Sequence, residues 1–277
     1  MSVSASAVKA LRERTGLPMM DCKKALNESN GDEEAAVEWL RANGKKVAEK
    51  RADRETAFGR FGIYSSVDGA SGAMVEFKCE SAPVTQNEEF IQLANDLAEA
   101  LAKNPEVEGD ADKLLALDCP SNPGTTLATV KDDLFNRIRE VFNVGRMVRF
   151  DGPTAGYSHN SSTVAGVLLS VEGGSDDAGR DISMHVAAMT PKALSTDDLD
   201  PAVVEEERKH LRSAALAEGK PENIVDKMVE GRMKNYYAEQ VLLEQTFVKA
   251  EGKESVGDYA KSNGMTVKAF SHMILGE

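Results

Sequence analysis

The chain has 277 residues, 41% hydrophobic and 29% charged, a balance that suits a folded globular protein and is too apolar for a disordered one. Its formal charge of -13, from 46 acidic and 33 basic residues, argues against nucleic acid as the main partner, because a phosphate backbone is bound by clustered Lys and Arg. Length sets a prior of one large domain or two to three small ones. The acidity is uneven: residues 1–50 hold nine Lys or Arg against eight Asp or Glu, which leaves 24 against 38 for the remainder. That shift marks off a separate N-terminal module.

Cys22, Cys79 and Cys119 are isolated, odd in number and without metal-ligand spacing, so reduced thiols are expected and neither a disulfide framework nor a zinc site. The first residues contain no apolar signal-type run, and no stretch reaches the roughly 18 apolar residues of a membrane span. The expectation is a cytoplasmic protein that does not engage a membrane.

Three short helices are predicted in residues 1–45. Ser4 or Ser6 caps the first, on which Val8 and Leu11 recur at helical spacing, and Gly16 with Pro18 ends it. Met19, Met20, Cys22, Ala25 and Leu26 mark the second, until Asn30-Gly31 breaks it. Asp32 caps the third, whose Ala36, Val37 and Leu40 face inward, with Gly44 at its exit. Residues 46–57 are highly charged and read as a linker.

From Phe58 the period changes to that of strands. FGRFGIYSSV and GAMVEFKCE form a hairpin around Asp68–Gly72, and a helix spans Glu88–Lys103, closed by Pro105. Residues 105–125 read as a turn-rich acidic connection, and Thr126–Phe142 as a helix. Two strands, Thr154–His159 and Val164–Val171, and a helix Ile182–Met189 then repeat the strand-strand-helix order at an offset of about 85 residues. Asp200-Pro201 opens a charged helix with a narrow apolar stripe, Gly219-Lys220-Pro221 turns the chain, and a return helix completes an antiparallel hairpin. VLLEQTFVK is predicted as a strand, VGDYAKS as a helix and TVKAFSHMIL as a closing strand. The fold class is therefore α+β, with core subdomains at 58–145 and 146–277 and a hairpin arm at about 200–238 in the latter.

Residues 11–26, LRERTGLPMMDCKKAL, and the adjoining NGDEEAAVEWLR resemble the opening of the elongation factor Ts family, guanine-nucleotide exchange factors for elongation factor Tu. The similarity continues through GAMVEFKCES, RIREVFNVGR, RDISMHVAAMTP and GKPENIVDKMVEGRMKNYYAEQVLLEQTFVK, nearly the whole chain. It implies a three-helix module of the ubiquitin-associated type, a core of two related subdomains and a helical hairpin arm. It also implies binding to elongation factor Tu, in GDP-bound and nucleotide-free forms, and exchange without covalent chemistry. The complex would be a simple pair or a dimer of heterodimers. No cofactor of the chain's own is implied, and the sequence has no GxxxxGK[ST] phosphate loop.

The resemblance carries partner contacts to Arg12, Met19, Met20 and Lys23 in the first module and to Ile138 and His159 in the core. On residue type alone, one of Met19 and Met20 faces the bundle core, Arg12 and Lys23 read as a solvated face, His159 as a structural residue beside a strand, and His185 as core. The family's Thr-Asp-Phe-Val segment, which disturbs the magnesium end of the partner's nucleotide site, falls on Ser81, Ala82, Pro83 and Val84. Ala82 cannot ionise, and Pro83 has neither aromatic area nor a backbone N–H. Three readings stay open: a steric role for the segment, exchange through the other contacts, or binding with weak exchange. Arg139 also departs from the family, standing where the pattern has glycine.

Overall fold

The computed structural model describes residues 3–219 and 221–277; Lys220, within the turn expected at 219–221, lies outside them. Helix α1 (Ala5–Thr15) is capped by the Ser4 hydroxyl, which accepts from the Ala7 N–H at 3.1 Å, and ends at Gly16 in the left-handed region. α2 (Met19–Glu28) starts directly after Pro18, and α3 (Glu33–Glu49) is capped by the Asp32 carboxylate on the Ala35 N–H at 2.8 Å. Val8, Leu11, Leu17, Cys22, Ala25, Leu26, Ala36 and Leu40 form their shared core.

The expected exit at Gly44 and the linker from residue 46 are corrected: α3 runs on to Glu49. Gly44 serves packing, not termination. A β-carbon there would lie 1.8 Å from the Asn136 side-chain oxygen, so glycine lets α3 pass close to the core. Val47 and Ala48 then pack against the core hydrophobic cluster, giving the charged segment an apolar side that its composition concealed.

Strands β1 (Phe58–Tyr64) and β2 (Ser71–Cys79) form the expected hairpin, with Phe58 opposite Cys79 and Tyr64 opposite Ala73. Asn87 caps α4 (Glu88–Lys103) by accepting from the Phe90 N–H at 3.0 Å, and α4 lies on this sheet. Gly62 permits that approach, since a β-carbon on it would sit 1.8 Å from the Ala94 carbonyl oxygen. Phe77 stacks on Phe90 at 4.6 Å between centroids, and Phe142 closes the aromatic group.

The stretch expected to be a loop holds α5 (Ala111–Ala116) and a small ladder of β3 (Asp118–Cys119) and β4 (Asn122–Thr126). Helix α6 (Leu127–Ile138) stops four residues before its expected end, because Arg139 turns left-handed at φ 67°. The chain then enters a strand that its sequence pattern does not announce, β5 (Asn143–Asp151), paired antiparallel to β2. The expected boundary at 145/146 thus falls inside β5, and the first sheet, ordered β1-β2-β5, extends to Asp151.

The second sheet is ordered β6-β7-β8, from β6 (Thr154–Asn160), β7 (Val164–Gly173) and β8 (Met265–Ile274), again antiparallel. Its helix α7 spans Asp176–Met189, beginning well before the expected Ile182 because Ser175 caps it. α8 (Pro201–Ala217) and α9 (Glu222–Gln240) form the hairpin, zipped by Ala215, Val225, Val229 and Met233. VLLEQTFVK is not a strand. It makes a 3-10 turn at Leu242–Glu244, which lets Leu242 and Phe247 enter one core while Gln245 reaches His185, before α10 (Val256–Ser262).

The two sheets meet through Phe61, Met74 and Leu168. Gly166 makes this contact close: a β-carbon on it would come within 2.5 Å of the Phe61 ring and the Met74 sulfur. Among the described residues helix and sheet are mixed, and all three sheets are antiparallel. Among the described residues, no helix is long and apolar enough to cross a membrane.

Candidate partner-binding surface

The first turn of α2 presents Met19 and Met20, 54% and 69% exposed, which is unusual for thioethers in a bundle whose other apolar side chains are mostly buried. Pro18 precedes them and is extended, so α2 starts abruptly and its first side chains point outward. Arg12 on the last turn of α1 and Lys23 on α2 are also exposed. Exposed thioethers fit varied surfaces and exposed cations attract acidic ones, which makes these four residues a candidate contact surface.

The segment Ser81–Val84 leaves β2 and enters a 3-10 turn over Ala82–Gln86. Ala82 and Pro83 are exposed, whereas Val84 is inserted into the first core. Thr85 Oγ1 donates to the Ala82 carbonyl at 2.7 Å, and Arg60 Nη1 donates to the Thr85 carbonyl at 3.2 Å. The turn is therefore fixed from beneath and presents a small, uncharged tip. Before it, Cys79 Sγ donates to the Ser81 carbonyl at 3.3 Å. Burial, aided by the nearby charge of Glu140, pushes the Cys79 thiol up to about 12, so it stays protonated and is no nucleophile at neutral pH.

Glu140 secures Ser81 twice, accepting from its backbone N–H at 3.0 Å and its hydroxyl at 2.5 Å. Glu80 accepts from the Val141 N–H at 2.8 Å and from Arg54 Nη1 at 2.9 Å. Burial opposes the Glu80 charge, but the Val141 and Arg54 hydrogen bonds more than offset it, and its carboxyl titrates below the ordinary glutamate value. Residues 80–81 and 140–141 thus hold each other by reciprocal polar contacts.

Ile138 is half-buried against the first core, and beside it Arg139 takes the left-handed conformation that glycine adopts more easily. The Arg139 guanidinium reaches Asp21 at 2.5 Å, and its carbonyl accepts from Arg51 Nη1 at 2.8 Å. His159 lies apart on β6, with Nδ1 3.0 Å from the Tyr157 hydroxyl. The structure therefore links the Met19-Met20 turn and the Ser81–Val84 turn through residues 139–141, and places His159 on the other sheet. Asp21, Arg51, Arg54, Glu80 and Glu140 carry no signature in the sequence. Their partners are 26 to 118 residues away, and Arg139 stood out in the sequence only as a departure from the glycine of the family pattern.

His185 is fully buried, as expected, with Nε2 2.9 Å from Gln245 Oε1 and Nδ1 accepting from the Val248 N–H at 3.1 Å. Among the described residues, no group of His, Cys, Asp and Glu is arranged to hold a metal ion.

An exposed thioether pair and a hydrogen-bonded turn, joined through residues 139–141, form a candidate contact surface, with no metal-binding cluster beside them among the described residues. The family model described as "Elongation factor TS" matches residues 80–277. Proteins called elongation factor Ts are similar over the full length: that of Hyphomonas neptunium is 41% identical over 287 residues, covering 99% of this chain and 92% of its own. That of Halorhodospira halophila is 42% identical over 279 residues, covering 100% and 93%. That of Aquifex aeolicus is 41% identical over 288 residues, covering 100% and 99%. The chain belongs to the elongation factor Ts family, whose members serve the elongation phase of protein synthesis.

Proposed function

We propose that the chain binds elongation factor Tu in its GDP form and promotes GDP release, so that GTP loads in its place. Family membership over the whole chain carries this reading, and the exposure of Met19 and Met20 beside Arg12 and Lys23 supports it. The exposed side chains offer a soft contact for the partner's nucleotide domain. The Ser81–Val84 turn, fixed by Val84 and Glu140, is a rigid projection that would press on the phosphate and magnesium end of the partner's site.

The thermodynamics require no chemistry from this chain. A factor that binds the nucleotide-free partner more tightly than the GDP-bound one lowers GDP affinity by the same ratio. Rigidity matters because a turn that yields on contact transmits no distortion. Affinity for cognate elongation factor Tu, measured nucleotide-free and GDP-loaded, tests the reading. Tighter binding to the nucleotide-free form is expected, and equal affinity for the two forms would refute exchange.

A second reading is favoured by one observation: the exposed tip is Ala82-Pro83, with neither a carboxylate nor an aromatic ring. On that reading the chain is a binding or stabilising partner of elongation factor Tu with weak exchange.

A further inference from the structure

We infer that Arg139 and Glu140 act as a positioning clamp that fixes the Met19-Met20 turn and the Ser81–Val84 turn in one orientation toward the partner; the inference rests on the reading of both turns as contact sites. The two residues are adjacent at the exit of α6, where a left-handed backbone ends the helix and redirects the chain toward β5. From this one corner Arg139 reaches Asp21 in the first turn of α2, and Glu140 takes the N–H and hydroxyl of Ser81. Arg51 anchors the corner through the Arg139 carbonyl, and Glu80 anchors it through the Val141 N–H.

Among the described residues, the other ion pairs from α1, α2 and α3 to the core run from α3. Arg41 forms a forked pair with Asp133 at 3.2 and 3.0 Å, and Lys45 approaches Asp132 at 3.7 Å. They hold the long helix but do not touch the turn that carries the methionines. Among the described residues, Asp21–Arg139 is the one ion pair from α2 to the core. Asp21 adjoins Met20, so its attachment governs how that turn faces the partner. An arginine in the left-handed region is disfavoured in isolation, and the contacts on its side chain and carbonyl hold it there.

The clamp separates two kinetic effects. Loosening Arg139 frees the docking surface and should weaken encounter with the partner. Loosening Glu140 frees the projecting turn and should slow the step after binding. Arg139→Gly is a suitable probe because glycine relieves the left-handed strain while removing the Asp21 contact.

GDP-release kinetics of the full chain with cognate elongation factor Tu should show KM raised about fivefold in Arg139→Gly with kcat little changed, and kcat lowered about fivefold in Glu140→Ala. The charge exchange Asp21→Arg with Arg139→Asp should return KM toward that of the parent. If Glu140→Ala does not fold, Ser81→Ala, which removes one of the two bonds to Glu140, replaces it. A second readout does not depend on exchange: the distance distribution between spin labels on Met20→Cys and Pro83→Cys in the free protein, where the native cysteines are buried. It should be narrow in the parent and broad in Arg139→Gly and in the Glu140 variant. Unchanged kinetics in Arg139→Gly, or equally narrow distances throughout, would overturn the clamp. If the parent chain does not accelerate GDP release, the exchange reading fails, and the distance measurement alone decides the clamp.

Discussion

Gly44 of α3 and Asn136 of α6 occupy what is nearly a single volume: a β-carbon on the glycine would lie 1.8 Å from the asparagine oxygen. In an exposed helix, Gly→Ala stabilises by about 1 kcal/mol through propensity. Here the sign should reverse, because Asn136 is 4% exposed and has little room to withdraw. Gly44→Ala is expected to lower Tm, and Gly44→Ala with Asn136→Ala to recover much of the loss. Thermal unfolding of the two variants checks this.

Glu76 is buried in β2 and depends on Arg146 of β5. Its carboxylate accepts from the Arg146 backbone N–H at 3.1 Å, from Nε at 3.2 Å and from Nη2 at 2.8 Å. Burial pushes the Glu76 carboxyl up, but these bonds outweigh it and the group titrates below 4.5. The pair therefore stabilises the fold above that value and loses its effect as pH falls through the lowered one. Arg146→Ala leaves the carboxylate short of a partner. The cost should be about 2 kcal/mol, less than for a fully buried pair because the arginine side chain is 38% exposed. Urea unfolding of the variant measures it.

His185 gives the opposite residue type the same pH sense. Burial lowers its pKa below 6.5, partly countered by Gln245, and its Nδ1 must stay unprotonated to accept from Val248. Above that ordinary value the folded and unfolded states are both neutral. As pH falls below it the unfolded chain takes up a proton that the folded one resists, so stability drops. Comparing unfolding free energies at about pH 7.5 and about pH 5.5 should show a smaller decline in His185→Asn than in the parent.

On the proposed reading of the Ser81–Val84 turn, the composition of its exposed tip sets the rate of exchange. Replacing Ala82 by Asp and Pro83 by Phe restores a carboxylate and about 150 Å² or more of aromatic surface at an exposed, rigidly held position. The double variant is expected to speed GDP release from elongation factor Tu by about tenfold relative to the parent. An unchanged rate would assign exchange to the other contacts.

Much of the helical framework was legible because its signals are local. The apolar face of α4, the caps at Ser4 and Asp32 and the hairpin of β1 and β2 are all written within a few residues. β5 was not, because Arg146 and Arg149 interrupt its apolar alternation. Their charges are satisfied by Glu76 and by the Ala102 carbonyl, remote groups that no window contains. Residues 241–249 misled in the other direction: Val, Leu and Phe suggested a strand, but tertiary packing of Leu242, Gln245 and Phe247 demanded a turn. In the proposed contact surface, Met19, Met20 and the tip at residues 81–84 are nameable from resemblance. The residues that orient them, Asp21, Arg139 and Glu140, meet only in three dimensions.

The most direct measurement is the release of fluorescent GDP from preloaded cognate elongation factor Tu, monitored after adding this chain at substoichiometric concentration with excess unlabelled GTP. Acceleration over the spontaneous rate, with many partner molecules emptied per molecule of the chain, is the expected result. A trace that coincides with spontaneous release, while a parallel binding experiment shows the complex forming, would contradict exchange and leave a binding partner without it.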